Sequence, residues 1–567
     1  MQATRLPLQS APLKRALIIT IVIALIAGAA AYVWQTRARS TSTAVTSLLP
    51  RDTIAFVHLP DLNRTRAEWK RSDVYQLYSE PAVQEFLRNP LATPPTQNDS
   101  DLEKLGIEDA FVALTSVTNN TPHVVGGFRF HGDRDTAQRT INRWLPNANN
   151  RETLDYEQHK IDIVHLGAFS IAEVFDRDWV FAANDVETLK GLLDRADGRV
   201  QDRQSTLAAD ETYRAAIAEL SSSYALAFYL QPKPIAQTFP ALRDTQINAI
   251  CGASRFENGK MHDTIFVSSP RSTSNEKLTR DSLALGTPDT FFYLASVLNF
   301  SNQLALVDQT RAAGFLGGAL QKISDALAKA HISAADWQAA FGPEANGLGD
   351  WPANAHWPNG VAVFPVKDFA RAKQLASALA HASDHDANWI ETDRNGAHYI
   401  TMQSAPGFLV LRPTIAITNR EMIVGVDAAS VDVAVQRSAS PPSGLANSPT
   451  YKSATSALPL PTISFAYVDL ALLYSRLDTA VRPMLMFGAA FMPAANNYVD
   501  LAHVPPVEVV TKHLSPMITS QHETKAGYVI DSIGPITLNE TGIALAILGG
   551  FGRDASSFAR PIPSATP

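Results

Sequence analysis

The chain has 567 residues, of which 46% are hydrophobic and 18% are charged, and its formal net charge is −7. This balance is typical of a folded globular chain and excludes a disordered stalk. The long region after the N-terminal segment contains no Lys/Arg cluster, so the sequence excludes nucleic acid as a partner.

The first predicted element is an uncharged apolar segment at residues 16–34. Nineteen residues of helix rise about 28 Å, which matches a hydrocarbon core about 30 Å thick. Lys14 and Arg15 precede the segment, and Tyr32 and Trp34 lie at its far end, where aromatic rings favour the lipid headgroups. The pattern predicts a single transmembrane helix.

This helix sets the expected topology. A long domain after a first span is translocated largely regardless of its charge. We therefore predict a cytoplasmic tail at 1–15, the anchor at 16–34 and a linker at 35–47, with the bulk of the chain on the extracytoplasmic side. A cleaved signal peptide is the alternative, although 19 apolar residues exceed its usual length of about 7 to 15.

The rest of the chain contains an internal duplication. The matched residues are Asp52 and Asp289, Tyr213 and Tyr451, and Tyr229 and Tyr467. The offset is 237 residues for the first pair and 238 for the other two. Repeats of this kind decide how every later element is assigned. We predict two homologous halves, about 48–270 and 283–537, and a C-terminal tail at 538–567.

Each half is predicted to follow the same order of elements. In the first half these are a strand at Thr53–Leu59, a helix at Val74–Leu87, a strand at Val124–Phe130, a helix at Asp133–Leu145, a hairpin within Ser170–Ala183 and a helix at Val186–Arg195. In the second half they are Thr290–Ala295, Gln303–Ala330, Gly360–Val366, Lys367–Leu379, a hairpin at Asn395-Gly396, another within Thr414–Val426, and Ala428–Arg437. Strands and helices without strict alternation predict an α+β fold with largely antiparallel sheets.

Several short motifs carry a family resemblance. They are Leu-Leu-Pro-x-Asp-Thr at Leu48–Thr53, Pro60-Asp61-Leu62, and Pro81-Ala-Val-x-x-Phe86. With the single anchor, they resemble a bacterial family of membrane-anchored, envelope-facing proteins of unknown function. The resemblance implies a fold and a compartment, namely an anchor in a bacterial cytoplasmic membrane with the bulk of the chain on the periplasmic or extracytoplasmic side. It brings no activity and no site residues.

The search for chemistry finds no nucleophile elbow, phosphate-binding loop or His-Glu-x-x-His motif. Cys251 is the single cysteine, so no disulfide can form within the chain, and we interpret it as a small buried hydrophobe. His381 and His385 could share a helix face and bind a metal, but a solvated turn is the simpler interpretation. We predict no cofactor.

The other polar residues considered as catalytic candidates are better explained as parts of turns than as parts of an active site. His131 and Asp133 could supply a base and an acid, yet they match a strand-to-helix turn. The carboxylate pairs Glu108-Asp109 and Asp176-Asp178 also fall at predicted turns, and nothing in the sequence indicates that they face a cleft.

Two segments of the second half are candidate interaction surfaces. In the stretch 347–360, Trp351 and Trp357 are each followed by proline, and both could form a stiff recognition surface or pack onto their own domain. An apolar insertion near 480–500 is too short to span a bilayer and must be either buried or an exposed contact. Its candidate residues are Met484, Met486, Phe487 and Phe491.

These observations favour a binding or scaffold module without catalytic activity, whose partner is an envelope protein or polymer. Two alternatives remain from the sequence. One is an envelope hydrolase with a site assembled from distant residues, and the other is a carrier of a lipid or lipoprotein segment. A site with converging titratable groups would favour the hydrolase, and a continuous apolar cavity would favour the carrier.

Overall fold

The computed structural model describes residues 43–87, 106–119, 121–144, 151–166, 169–200, 202–236, 246–270, 276–298, 325–383, 388–403, 412–439, 444–488 and 503–537. The predicted anchor at 16–34 lies outside these ranges. Within them, no helix combines the length and the apolar character needed to cross a membrane.

The chain packs as two compact units. Among the described residues, those within 1–71, 93–256 and 265–269 form the first unit, and those within 72–92, 257–264 and 270–567 form the second. The second unit thus includes two short segments that lie earlier in the sequence than residue 283, where the second half is predicted to begin.

Antiparallel strands form the framework of the first unit. They are β1 (Ala55–Leu59), β2 (Ile107–Thr118), β3 (Thr121–Phe130), β4 (Arg151–Tyr156), β5 (His159–Leu166), β6 (Phe169–Asp176), β7 (Trp179–Ala183), β8 (Leu226–Leu230) and β9 (Ala249–Glu257), followed by β10 (Lys260–Ser268). The pairing order is β9-β8-β1-β2-β3-β7-β6-β5-β4. The tip of the hairpin between β9 and β10, residues 257–264, belongs to the second unit.

The second unit has the same kind of framework. Its strands are β11 (Thr290–Val297), β12 (Glu344–Asp350), β13 (Asn359–Pro365), β14 (Trp389–Arg394), β15 (Ala397–Met402), β16 (Thr414–Ile417), β17 (Glu421–Gly425), β18 (Ser464–Val468), β19 (Met517–Glu523) and β20 (Gly527–Gly534). The pairing order is β20-β19-β18-β11-β12-β13-β17-β16-β15-β14. From β19 onwards this is the order of the first unit with every strand number raised by ten.

The helices are short in most of the chain. They are α1 (Thr43–Leu48), α2 (Leu62–Trp69), α3 (Asp73–Ser79), α4 (Pro81–Phe86), α5 (Arg134–Trp144), α6 (Val186–Ala196), α7 (Glu211–Ile217), α8 (Pro232–Ile235), α9 (Ala334–Ala340), α10 (Phe369–Ser383), α11 (Ala428–Ser438), α12 (Pro449–Thr455), α13 (Leu470–Gly488) and α14 (Val507–Thr511). With the antiparallel strands, they make the chain α+β, as the sequence predicts.

Local chemistry explains several element boundaries. Asn395 and Gly396 have φ angles of 54° and 74°, so the turn between β14 and β15 requires two residues that tolerate the left-handed region. The helix predicted at Val74–Leu87 is instead two helices, because the ring of Pro81 cannot continue α3 and starts α4 at its first position.

Each unit buries a matched pair of tyrosines. Tyr213 on α7 contacts Tyr229 on β8, and Tyr451 on α12 contacts Tyr467 on β18. All four side chains are less than 9% exposed. The helix that carries the first tyrosine of each pair is held by an N-cap residue, Asp210 or Ser448, whose side chain accepts from the tyrosine N–H.

Candidate functional site

The two units differ in how the same pair of strands is connected. In the first unit β2 ends at Thr118 and β3 begins at Thr121, which leaves room for a tight turn only. In the second unit the corresponding strands β12 and β13 are joined by residues 351–358, which we call the tryptophan loop. The loop is therefore an addition to a shared strand order.

A second difference follows the strand that carries the matched tyrosine. After β8, the described part of the first unit contains the four-residue helix α8. After β18, the second unit has α13, which is 19 residues long. Arg482 holds this helix in place, since its guanidinium pairs with Asp478 one turn earlier and donates to the carbonyls of Val504 and Pro505.

The tryptophan loop is stiffened by its own first residue. Trp351 is 3% exposed, and its backbone N–H donates to the carbonyl of Asp289 at 2.9 Å. Its indole N–H donates to the carbonyl of Ala355 at 3.1 Å, and its ring centroid lies 6.2 Å from that of Phe291. Trp351 thus packs onto its own unit and supports the loop from beneath.

Arg476 on α13 joins the helix to the loop. Its Nε donates to the carbonyl of Trp351 at 2.9 Å, and its Nη2 donates to Asp289 Oδ1 at 2.9 Å. The guanidinium side chain is 23% exposed. Because the arginine is paired with a carboxylate, this part of the site has hydrogen-bond donors without a net positive charge.

A cavity of about 230 Å³ lies between the loop and the helix. One wall consists of residues 351 and 353–356, and the other of Arg476, Thr479 and Ala480. Pockets that bury a drug-sized ligand are usually about 300 to 1,000 Å³. The cavity is therefore suited to a single ring-sized or side-chain-sized group.

Trp357 lies beside this cavity and is open to solvent. Its side chain is 58% exposed, and its ring contacts that of His356 edge to face at 4.9 Å. His356 itself lines the cavity. Of the two tryptophans singled out in the sequence, only Trp357 exposes its indole to solvent, because Trp351 is buried beneath the loop.

The apolar insertion continues from the same helix. Met484, Met486 and Phe487 fall in the last turns of α13. Their side chains, like all of Phe491, lie outside what the structure describes. The prediction that they form an interaction surface stays a prediction.

The carboxylates Glu108 and Asp109 are not at a turn, so that expectation is wrong. Both lie in β2 and are at most 4% exposed. Asp109 Oδ1 is 2.9 Å from Nε2 of buried His58, whose Nδ1 is 3.0 Å from the hydroxyl of Tyr224. A carboxylate only accepts, so in the neutral ring Nε2 carries the proton and Nδ1 accepts from Tyr224. The three hydrogen-bonded side chains of Asp109, His58 and Tyr224 are all buried, which is typical of a structural role.

Glu108, near the start of the same strand, contacts a different set of partners. Arg129 Nη2 lies 2.6 Å from its Oε2, and His131 Nε2 lies 2.8 Å from its Oε1. His131 precedes α5, whose first turn is capped by Asp133 through the N–H of Thr136 at 3.0 Å. The strand-to-helix turn predicted for His131 and Asp133 is therefore present.

The remaining candidates from the sequence are Cys251, His381 and His385. Cys251 is fully buried, and burial raises the pKa of its thiol to about 12. The imidazole of His381 bonds to the carbonyl of Ser377 at 2.8 Å, while His385 lies outside the described residues. Across the described part of the chain, no three His, Cys, Asp or Glu residues are arranged to hold a metal ion.

Another buried carboxylate, that of Asp531 on β20, lies close to two histidines. His262 Nε2 and His522 Nδ1 lie 3.6 and 3.9 Å from its oxygens, and the hydroxyl of Thr264 donates to it at 2.7 Å. No local pattern in the sequence indicates this group, because its members are brought together by strand pairing and not by spacing.

Comparisons with known proteins do not show a family for this chain. No family model and no curated protein matches the chain. Among solved structures, it is similar to crystal form III of TP0453, with a TM-score of 0.24 and 7% identity over 41% of this chain and 81% of that chain. Crystal form I has a TM-score of 0.23 and 5% identity, over 41% of this chain and 80% of that chain. Crystal form IV has a TM-score of 0.24 and 7% identity, over 39% of this chain and 79% of that chain. Likeness at this level supports no inference about function.

Proposed function

We propose that this protein is a membrane-anchored binding module of the bacterial envelope, in which the second unit recognises a partner through the tryptophan loop and α13. One observation carries the proposal. Both walls of the cavity are elements that the second unit adds to the strand order it shares with the first. An exposed indole beside such a cavity is typical of a recognition surface, because large exposed aromatics are favoured where a partner will cover them.

The two units are, on this proposal, homologous copies of one fold. The shared strand order, the matched tyrosine pairs and the equivalent N-caps at Asp185 and Asp427 support it. A duplication leaves one copy free to keep the framework while the other acquires a loop and a helix. The first unit then acts as a scaffold.

The anchor at 16–34 and the envelope-facing location complete the proposal, and they rest on the uncharged sequence of that segment. A reporter enzyme that works only outside the cytoplasm, fused after Pro567, should be active. Activity of a reporter that works only in the cytoplasm would overturn the topology.

Site-specific photocrosslinking in intact membranes tests the recognition surface. A photoreactive residue at position 357 should give a discrete adduct, and the adduct should weaken when Arg476→Ala releases the loop. The matched control is position 460, where Leu460 is an 80% exposed apolar residue of the same unit that does not line the cavity. The same adducts at both positions, or none at position 357, would contradict the proposal.

A further inference from the structure

The chemistry of the cavity points to a class of ligand, an inference that rests on the proposed function. We propose that the tryptophan loop and α13 bind one N-acetylhexosamine unit of a glycan, with the sugar ring against the indole of Trp357 and the acetamido group in the cavity.

The exposed indole supplies the apolar contact. An aromatic face carries partial negative charge, and the axial C–H bonds of a pyranose ring carry partial positive charge, so the two surfaces attract when they are stacked. Trp357 is 58% exposed and stands beside His356, which lines the cavity. A ring stacked on Trp357 is therefore placed next to the polar wall.

The polar wall complements an acetamido group. Two of the five N–H donors of Arg476 engage Trp351 and Asp289, which leaves donors of the same guanidinium for a carbonyl oxygen. The exposed amide of Asn354 offers both a donor and an acceptor on the opposite wall. A cavity of about 230 Å³ has room for such a substituent and not for a whole oligosaccharide.

The charge of the site favours a neutral ligand over a phosphate. The guanidinium of Arg476 lies 2.9 Å from Asp289 Oδ1, so the positive charge that would attract a phosphate is already neutralised. The uncharged hydroxyl and amide groups of a sugar bind through hydrogen bonds and do not need that charge.

A peptide fits this surface less well. β12 is paired on one edge with β11 and on the other with β13, so an extended peptide cannot add as a strand there. The cavity wall on α13 is formed by Arg476, Thr479 and Ala480, which offers no deep apolar pocket for an anchoring side chain.

Saturation-transfer NMR on the full-length chain tests the inference. The protein is solubilised in a detergent without a sugar headgroup, because a glucoside or maltoside would compete for the site. The probes are triacetylchitotriose and maltotriose, two neutral trisaccharides of which only the first carries acetamido groups. Triacetylchitotriose should bind saturably, and maltotriose should bind at least about tenfold more weakly.

Four variants locate the binding. Trp357→Ala should weaken the affinity for triacetylchitotriose by about tenfold or more, which corresponds to about 1.4 kcal/mol, because it removes the ring on which the sugar stacks. Asn354→Ala should also weaken it, Trp357→Phe should retain most of it, and Leu460→Ala should not change it. Equal binding of maltotriose, or an unchanged affinity in Trp357→Ala, would overturn the inference.

The outcomes separate this inference from the proposed function. A protein adduct at position 357 without saccharide binding leaves the recognition surface in place and rejects the glycan. The absence of both an adduct and saccharide binding rejects both.

Discussion

The phenol rings of Tyr213 and Tyr229 meet edge to face, with centroids 5.0 Å apart and planes at 88°. Tyr451 and Tyr467 repeat the contact at 5.1 Å and 63°. Each pair therefore joins a helix to the strand next to the first strand of its unit, at the same step of the shared strand order.

Because the two tyrosine pairs are equivalent, matched substitutions should lower the free energy of unfolding by equal amounts. Tyr213→Ala and Tyr451→Ala should each destabilise their unit by about 3 to 5 kcal/mol, because both remove a large buried ring. Chemical denaturation of each variant measures the change. Tyr78, which is 42% exposed, provides the control, since Tyr78→Ala should change stability by less than about 0.5 kcal/mol. Costs that differ several-fold between the two sites would argue against equivalent positions.

Arg476 should control the order of the tryptophan loop. In Arg476→Ala the loop loses its bond to α13, so the amide of Trp351 should exchange with solvent faster, while the cost to global stability stays near 1 kcal/mol for a partly exposed ion pair. Hydrogen-exchange mass spectrometry of the loop peptide measures this. Arg371→Ala removes an exposed pair with Asp368 and should leave the loop unchanged. Unchanged exchange in Arg476→Ala would mean that the loop is held by Trp351 alone.

Asp531 should make stability depend on pH in the acid range. Burial acts to raise the pKa of this carboxyl, but hydrogen bonds from His262 and Thr264 and the charges of His262 and His522 outweigh it, so the pKa lies below its usual value. A depressed pKa stabilises the fold above the unfolded value of about 3.9, and that stability is lost as the pH falls through the folded pKa.

The corresponding variant is Asp531→Asn. Its melting temperature should fall below that of the wild type at pH 5 and above, and the gap should narrow as the pH falls below about 4. Glu187→Gln removes a carboxylate that is 81% exposed and should give no such trend. A constant gap between pH 3 and pH 7 would show that ionisation of Asp531 is not involved.

Cys251 should be inert in the folded protein. Its Sγ lies 3.3 Å from the carbonyl of Ala216, it is fully buried, and burial raises the pKa of the thiol to about 12, so little thiolate forms at neutral pH. A maleimide probe should label it only after denaturation. In Leu460→Cys the new exposed thiol should be labelled at once under native conditions. Rapid native labelling of Cys251 itself would place it near the surface.

The pair of His58 and Asp109 should behave as a buried unit. Asp109→Ala leaves the imidazole N–H without its acceptor and should lower the free energy of unfolding by about 1 to 3 kcal/mol, because a buried polar group that loses its partner bears the full cost of its burial. The double variant His58→Phe with Asp109→Ala should cost less than the sum of the two single variants. Additive costs would mean that the two side chains do not stabilise each other.

Sequence reasoning was sufficient where the cause is local. Asn395-Gly396 fixes a tight turn by its own backbone preferences, and Asp133 caps the helix that follows it. The sequence does not predict the burial of Asp109, because the environment of this carboxylate comes from His58, 51 positions earlier, and from a strand bulge between Ile107 and Ala110. The hydrophobic periodicity of a strand or helix does not indicate a partner so distant in the sequence.

In the candidate site, too, the sequence predicts the features that have a local cause and misses those that depend on long-range contacts. Proline after tryptophan marked the loop as unusual, but the cavity requires Arg476, which is 125 residues from Trp351. The distinction between a buried Trp351 and an exposed Trp357 also depends on long-range packing. Sequence could identify the segment and could not say which indole faces solvent.

The terminal strand of the second unit has a consequence for solubility. In the described residues β14 pairs with β15 alone, so one of its edges is a row of backbone donors and acceptors that another chain could extend. Residues 390–394 of this strand are exposed, and they include Glu391, Asp393 and Arg394. Charges along an edge disfavour the approach of a second identical strand. At high concentration these three residues should protect the protein from forming intermolecular sheets.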